Sequence, residues 1–363
     1  MNTRFARLAL ALLASLAASC SRTHAPASAS VMAAQGGGET LALTHQPSIL
    51  ARMYTAPGTV RHGGLRRLRF QYEIAGATQL LTYEERVTAD GNGHFALDPV
   101  RVGQPAMTEA QAEVFELTQK GREGFFFRYR DFGVRHRQLF DANYRVVDLG
   151  SNPLVAGRAC REFEVERIAG ATVKYRLAVD VETALVLRSI ELQGGVEVAR
   201  AEFVDFTLQP ATNDVAWFDA QFEGRTFDSN SAAASHLGFT PVAPRYLPAG
   251  YQHMHSEILD VSGEAWVRRT YGDGVESLLL LHKAAHGGGS DATWTDGKPL
   301  SRNPTTADAL ATPPAPIGPV TYKIRVLNAG PWTVAEVLRG EEQIFVVGKM
   351  GEDAVLRVLE STL

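Results

Sequence analysis

Apolar and polar residues alternate with a period of two along much of the chain. In LRRLRFQYEI, the even positions from Leu68 to Ile74 are apolar, whereas the odd positions carry Arg, Gln or Glu. This alternation is typical of an antiparallel strand with one face in the core and the other in water. The pattern recurs in TQLLTYEERV, HFALDPV, GFFFRYRDF, CREFEVER, TVKYRLAVD, LVLRSIEL and EVARAEFVDFTL. We therefore predict a mainly β protein of the α+β class with a long antiparallel meander.

A few stretches have helical rather than alternating spacing. PSILARM at 47–53, EAQAEVFELTQK at 109–120 and ATNDVAWFDAQF at 211–222 are the candidates in the first part of the chain. The second of these has acidic residues near its start and a lysine at its end, as a helix dipole favours. Hairpin turns are expected where glycines interrupt the alternation, as at Gly91–Gly93 and Gly194–Gly195.

A change in composition predicts two folded units. The first extends over 41–212, and a linker follows at 213–240 that includes the Ser- and Ala-rich stretch 229–235. The second, 241–363, is predicted as a smaller α+β domain with a strand pair around Gly-Asp-Gly, three further strands and the closing helix EDAVLRVLEST. Its segment 286–319 is dense in Gly, Pro, Ser, Thr and Asp and is interpreted as a mobile loop.

The N-terminus has the pattern of a secretory signal. Two arginines within the first seven residues precede the apolar run Leu8–Leu16 and the small residues 17–19, after which Cys20 stands. The run is too short to span a bilayer, which takes ~20 residues. We predict a signal peptide over 1–19 and a flexible tether over 20–40, because the latter is rich in Ala, Ser and Gly.

Cys20 is the predicted site of lipidation. Its context departs from the usual lipoprotein signal, since Leu16 lies one position early and Ala17 stands where Leu is usual. The alternative is cleavage by ordinary signal peptidase. Ser21 follows Cys20, and an Asp at that position would indicate retention in the inner membrane. The sequence therefore favours the outer membrane over the inner. A disulfide is not expected, because the other cysteine, Cys160, lies within a predicted strand.

Composition limits the classes of function. The 363 residues are 45% hydrophobic and 21% charged, with a formal net charge of −4, which is the balance of a globular protein that can bury a core. A chain with this charge has no general phosphate-binding surface, so nucleic acid is not an expected partner.

Two motifs are similar to parts of functional sites, but the other residues that such sites need are absent from the sequence pattern. HGGGS, His286–Ser290, is similar to an esterase oxyanion segment, but no G-x-S-x-G nucleophile motif accompanies it and its surroundings are linker-like. His253 and His255 could share a strand face and bind a metal with His282, although two solvated histidines are the simpler interpretation. We predict no metal site and no cofactor.

Glu162, Glu164 and Glu166 alternate with apolar residues and are placed on one strand face together with Cys160. Paired carboxylates can catalyse hydrolysis, but regular alternation favours a solvated face. Carboxylates nearby would raise the pKa of the Cys160 thiol and make it a poor nucleophile. No catalytic residue is assigned, and the protein is predicted not to be an enzyme.

Aromatic residues are the candidates for a binding cavity. A curved sheet with little helix to cover its apolar face could accept an acyl chain or an apolar peptide, whereas the same residues could equally fill the core. The predicted cavity residues are Phe70, Tyr72, Phe125, Phe127, Tyr129 and Phe203.

The segment between 144 and 192 carries a pattern of Tyr144, Val146, Val155–Arg158, Asp180, Thr183, Leu185 and Leu187–Ser189. Leu247–Tyr251, the Asp-Gly hairpin of TYGDGVESLLLL and the closing EEQIFVVGKMGEDAVLRVLEST follow in order. This order, over about two-thirds of the chain, resembles the MucB/RseB family of periplasmic regulators of the envelope-stress sigma factor. Departures from the pattern are Leu154 for Arg, Ala178 for Trp and Ala184 for Gly.

The resemblance implies a LolA-like half-open antiparallel β-barrel with a helix, followed by a smaller α+β domain. It also implies a sensor or negative regulator that binds the periplasmic part of an anti-sigma factor and responds to a lipid or lipoprotein. The alternative is a LolA/LolB-like carrier of lipids or lipoproteins. Either protein would lie in the periplasm, here with a membrane anchor at Cys20.

Overall fold

The computed structural model describes residues 48–74, 77–100, 131–169, 172–213, 215, 217, 225–227, 229–261, 264–284, 298–301, 321–329 and 332–363. Other predictions on the chain lie outside these ranges, including the signal peptide and tether, the helix at 109–120, most of the strand GFFFRYRDF and most of the segment 286–319. No helix in the described ranges is long and apolar enough to cross a membrane.

The first sheet is antiparallel, with strand order β3-β2-β1-β9-β8-β7-β6-β4 and β5 paired to β6. Its strands are β1 His62–Ile74, β2 Ala77–Ala89, β3 Phe95–Val100, β4 Tyr144–Asp148, β5 Leu154–Val155, β6 Arg158–Arg167, β7 Thr172–Asp180, β8 Val186–Gln193 and β9 Val196–Phe203. The described strands leave β3 and β4 as unjoined edges, so the sheet is open. This confirms the predicted mainly antiparallel β class.

The alternation in the sequence is realised in the strands. Leu68 and Phe70 are buried, whereas Arg67 and Arg69, which alternate with them, are exposed. The exposed arginines form ion pairs with carboxylates of neighbouring strands, Arg67 with Glu84 at 2.8 Å. One apolar face and one ion-paired face are the expected result of strands with this pattern.

Within the described ranges, three short helices accompany the first sheet and belong with it to the first unit. They are α1 Ile49–Met53, α2 Ala56–Thr59 and α3 Arg137–Asn143. The first confirms the helix expected at 47–53; the Ser48 side chain caps it by accepting from the Ala51 N–H at 3.2 Å.

The second sheet is also antiparallel, with strand order β10-β11-β12-β13-β17-β16-β15-β14. Its strands are β10 Arg225–Thr226, β11 Gln252–Val261, β12 Glu264–Gly272, β13 Ser277–Ala284, β14 Lys298–Ser301, β15 Thr321–Ala329, β16 Trp332–Arg339 and β17 Glu342–Gly348. Helix α5, Glu352–Glu360, buries Val355, Val358 and Leu359 in a core shared with Leu278 and Leu280. With helix α4, Asn230–Leu237, this sheet and α5 form the second unit.

Two segments have more regular structure than their composition suggested. The Ser- and Ala-rich stretch at 229–235 forms most of α4, because Ser229 caps it and Gly238, at φ 77°, ends it. Within the predicted loop 286–319, β14 pairs with β15, from Lys298 opposite Ile324 to Ser301 opposite Thr321. Four residues are too few for a periodic signal, so only pairing reveals this strand. The unit boundaries proposed at 212 and 240 stay predictions.

Candidate functional site

The apolar face of the first sheet carries the two predicted cavity residues whose side chains are described. In the β1–β9 register, Phe70 lies opposite Ala199 and Arg66 opposite Phe203, so the four residues share one face. Phe70 is 4% exposed and Phe203 5%. Both rings are thus enclosed by the protein itself.

Each ring packs on a second aromatic ring. The Phe203 ring lies 5.4 Å from that of Phe206 in an edge-to-face contact, and the Phe70 ring lies 6.2 Å from that of Tyr83. Such contacts add to the stabilisation that burial gives. The side chain of Tyr72 and residues Phe125, Phe127 and Tyr129 lie outside the described set, as does Cys20. The cavity and the lipidation site therefore stay predictions.

A charged group lies within this apolar face. Arg66, on β1, forms ion pairs with Glu85 on β2 and, at 2.8 Å, with Asp131. Glu85 is fully buried, and the Arg66 guanidinium also lies 5.9 Å from the Phe203 ring centroid. Burying charges is costly unless they are paired, and the pairing here meets that requirement. The face therefore combines aromatic surface with a fixed polar group.

The second described feature is the junction between the two units. The turn between β12 and β13, residues 273–276, enters the first unit, and Val275 joins that unit's hydrophobic core with no exposed surface. The Gly274 carbonyl accepts from the backbone N–H groups of Arg135 at 2.8 Å and His136 at 3.2 Å. Backbone hydrogen bonds and an apolar anchor thus fix the same turn.

Asp273 is the polar centre of the junction. Its carboxylate accepts from the Tyr144 hydroxyl at 2.6 Å and from the Arg167 guanidinium at 3.1 Å, both in the first unit. The same carboxylate accepts from the N–H groups of Val275 and Glu276 in its own turn. Burial, and then the Asp273 charge, raises the pKa of Tyr144. The hydroxyl therefore stays protonated and serves as a donor.

A second loop of the second unit reaches the same place. The Asn143 amide, at the end of α3, donates to the carbonyls of Gly250 at 3.0 Å and Asp273 at 2.9 Å. Arg167 also donates to the Ala249 carbonyl at 2.9 Å. Gly250 has φ 87°, and an added Cβ would lie 2.5 Å from Asn143 Oδ1, so only glycine fits this contact.

Behind Asp273 lies a buried cluster of charges. Glu191 accepts from Lys174 at 2.9 Å and from Lys349 at 3.0 Å, so it bridges a lysine of its own unit and one of the other. The Tyr175 hydroxyl donates to Glu276. Burial opposes the charge of Glu191, but the two lysines outweigh it and lower its pKa.

Part of this junction was visible in the sequence. Tyr144, Ala249, Gly250 and Asp273 belong to the motifs quoted above, and the structure gives them a shared role at one contact. The cluster around Glu191 was missed. A weak signal for it existed. Leu187, Ser189 and Glu191 share one strand face, and the alternation predicts an apolar residue at position 191.

The three histidines considered as metal ligands do not converge. A β-bulge between His253 and His255 shifts the register against β12 and turns the two side chains away from a common face. His253 contacts Ser256 Oγ at 2.8 Å, and His282 lies 3.4 Å from Glu342. Among the described residues no His, Cys, Asp and Glu cluster could hold a metal ion. His286–Ser290 lies outside them.

The three glutamates of β6 lie on the ion-paired face, as expected. Glu162 pairs with Arg188 at 2.8 Å, Glu164 with Arg176 at 2.8 Å, and Glu166 with Arg145. Each partner belongs to another strand, so these pairs cross-link the sheet surface.

Cys160, two positions before Glu162 on β6, differs from the three glutamates in its burial. It is fully buried, because the β5–β6 hairpin folds back and places Val155 in the same core. Burial, followed by the charge of Asp180, raises the pKa of the thiol to about 11. The thiol is a poor nucleophile as predicted, but enclosure contributes more than neighbouring carboxylates.

Comparisons with known proteins give structural matches only. No protein-family profile and no curated protein matches the chain. The complex of MucA and MucB from Pseudomonas aeruginosa matches over 85% of this chain and 95% of the other, with 17% identity and a TM-score of 0.43. A crystal structure of MucB matches over 86% of this chain and 95% of its own length, with 17% identity and a TM-score of 0.40. A LolA-superfamily protein from Nitrosomonas europaea matches 46% of this chain and 94% of its own, with 12% identity and a TM-score of 0.16. The chain is thus similar to MucB over most of its length and, over a shorter stretch, to a LolA-superfamily protein.

Proposed function

We propose that this chain is a non-enzymatic protein of the cell envelope that binds the periplasmic part of an anti-sigma factor and acts as a sensor or negative regulator. The observation that carries the proposal is the junction. Residues of the motifs that resemble the MucB/RseB family, such as Tyr144, Gly250 and Asp273, are the residues that hold the two units together. The shared position of these motif residues at one contact supports a two-unit arrangement of the kind that the resemblance implies.

A fixed junction favours protein binding in physical terms. A partner that touches both units gains affinity when their relative position is already set, because less ordering is needed on association. The buried anchor Val275 and the ion pair of Asp273 with Arg167 supply that order. The proposal accordingly places the partner on a surface to which both units contribute.

Responsiveness to a lipid or lipoprotein is the second part of the proposal. It rests on the resemblance, because Phe70 and Phe203 are enclosed within the protein and an acyl chain could reach them, next to the paired charge of Arg66, only if this face opens. A ligand of this kind can release the partner only to the extent that it binds the free form better than the bound form. Apolar binding would require residues beyond these two, and Tyr72, Phe125, Phe127 and Tyr129 are proposed for it.

We also propose a periplasmic location with a lipid anchor at Cys20. Mass spectrometry of the mature N-terminus tests this. An acylated Cys20 as first residue supports the anchor, whereas a chain that starts beyond Cys20, or starts there without acyl groups, contradicts it and leaves the binding proposal intact.

Partner binding is tested by a pull-down from envelope extract and by titration with a purified anti-sigma periplasmic domain. The test variant is Gly274→Ala, whose new Cβ would lie 2.3 Å from the Phe140 backbone nitrogen in the junction. The control is Gly93→Ala, at a similar φ of 96° with nothing within 4 Å. We expect at least tenfold weaker binding for the first variant and wild-type binding for the second. Equal binding by both would contradict a partner that spans the two units.

The alternative function is a LolA/LolB-like carrier, favoured by the open sheet with its buried aromatic face. The carrier would be favoured if native mass spectrometry of the purified chain finds one lipid per protein and the pull-down captures no anti-sigma domain. Capture of that domain by lipid-free protein would favour the regulator.

A further inference from the structure

The junction contains a carboxyl group that is poorly matched to a negative charge. Glu276 is 3% exposed, and one of its oxygens accepts from the neutral Tyr175 hydroxyl. The other oxygen has no hydrogen-bond partner within the described residues and lies 3.8 Å from the Lys349 ammonium. A buried carboxylate normally needs several donors, so this geometry suits the neutral acid better.

The surrounding charges point in the same direction. The Lys349 ammonium lies 3.0 Å from the Glu191 carboxylate and 3.8 Å from that of Glu276, so it pairs with Glu191. Glu191 and Asp273 are two further carboxylates beside Glu276, and both have close cationic partners. The titratable and charged groups that act on Glu276, or that it acts on, come from both units: Lys174, Tyr175, Glu191, Tyr144, Arg167, Tyr251, Asp273 and Lys349.

We propose that the two units dock with Glu276 in its protonated form, and that loss of this proton as the pH rises loosens the junction. The turn of residues 273–276 is then a proton-controlled latch. The inference concerns the chain alone and does not require the proposed partner.

The direction follows from linkage. Burial raises the pKa of Glu276 in the docked state above its ordinary value of 4.5. The docked state therefore holds more protons than the separated state, and docking weakens as the pH rises from 4.5 through the docked pKa. Glu191, whose pKa is lowered, has the opposite effect below 4.5, where its protonation would release Lys349. Docking is thus strongest on the acidic side of neutrality.

Hydrogen exchange of the full chain provides the test. The backbone N–H groups of Arg135 and His136 donate across the junction to Gly274, so their protection reports docking. Protection is measured between about pH 5 and 9 and corrected for the intrinsic exchange rate at each pH. With one proton released, we expect protection to fall by up to about tenfold per pH unit between 4.5 and the docked pKa, and to level off above that pKa.

Glu276→Gln is the test variant, because the amide is neutral at every pH and its oxygen can still accept from Tyr175. We expect its protection at Arg135 and His136 to be independent of pH. Glu336→Gln is the matched control. Burial also raises the pKa of Glu336. Its partners Arg325 and Gln343 both lie in the second unit. This control should keep the wild-type pH dependence.

A second variant keeps the proposal testable if Glu276→Gln does not fold. Tyr175→Phe removes a donor that stabilises the charged carboxylate, so the midpoint of the pH dependence should move to higher pH. An unmoved midpoint would count against the latch. So would wild-type protection that does not vary with pH, or pH dependence that Glu276→Gln retains or Glu336→Gln abolishes.

Discussion

At the scale of single residues, the junction depends on glycine where two backbones meet. Gly274 has φ 107°, and a Cβ added to it would meet the backbone of helix α3 at Leu139 and Phe140. The left-handed region already disfavours a side chain, and close backbone contact adds a steric penalty that cannot be relieved by rotation. Glycine at this position is a requirement of docking and not only of the turn.

The first prediction separates these two costs. Gly93→Ala, in open space at φ 96°, should lower the free energy of unfolding by about 1 kcal/mol through backbone strain alone. Gly274→Ala should lower it by at least about 2 kcal/mol more, because Phe140 cannot move without α3. Urea unfolding of both variants measures the difference, and equal losses would show that the junction tolerates a Cβ.

Cys160 gives the second residue-scale prediction. Since burial raises the pKa of its thiol to about 11, the thiolate is scarce near neutral pH and the sulfur is enclosed. In a Cys20→Ser variant, the folded chain should react with a thiol reagent at pH 8 at least about a hundredfold more slowly than the same chain in urea. Reaction at similar rates in both conditions would show that the β5–β6 hairpin does not cover Cys160.

At the scale of elements, the β5–β6 hairpin shows a local mismatch between residue and turn. Ala156 and Gly157 form its two-residue loop, at φ 49° and 74°, which are the positive values of a type I′ turn. Alanine is disfavoured at such a position, whereas asparagine tolerates it. The turn therefore stores strain that a substitution can remove.

The third prediction follows from that strain. Ala156→Asn should raise the free energy of unfolding by about 0.5 to 1 kcal/mol, because Asn-Gly is the preferred pair for this turn. Ala159→Asn, at an exposed strand position of the same hairpin, is the control and should bring no gain. Thermal unfolding compares the two, and stabilisation of both would point to a general effect of asparagine.

At the scale of the whole molecule, pH acts through groups that folding encloses. His282 is 1% exposed, and burial lowers its pKa from 6.5 to about 4 despite Glu342 at 3.4 Å. The folded state therefore resists protonation more than the unfolded state does. The stability that this neutral histidine supports is present above pH 6.5 and is lost as the pH falls toward 4.

The fourth prediction measures this loss. Between pH 6.5 and 4, His282 should account for a decrease of at most about 3 kcal/mol in the free energy of unfolding. His282→Gln should flatten that part of the curve, while His94→Gln, at an exposed position, should leave it in place. The Glu276 latch acts in the opposite direction with pH, so the two effects are distinguishable by sign.

Much of the fold was predictable, because strand pattern is a local property. The alternation around Leu68 predicted that strand and its buried face, and the run of residues 321–329 predicted a second strand. Helix α4 was interpreted as linker although its Ser cap and Gly stop were present, so there the signal existed and composition obscured it. Strand β14 had no such signal, because only its pairing with β15 defines it.

The sequence by itself determined the strands that carry the alternation, which of their faces are apolar, and the order of motifs that suggests two units. Only the tertiary structure decided that Glu191, Lys349 and Glu276 lie together without solvent. The physical reason is one of range. Alternation reports the environment within a strand, whereas a charge becomes buried only when a segment more than a hundred positions away docks against it, as Lys349 does against Glu191.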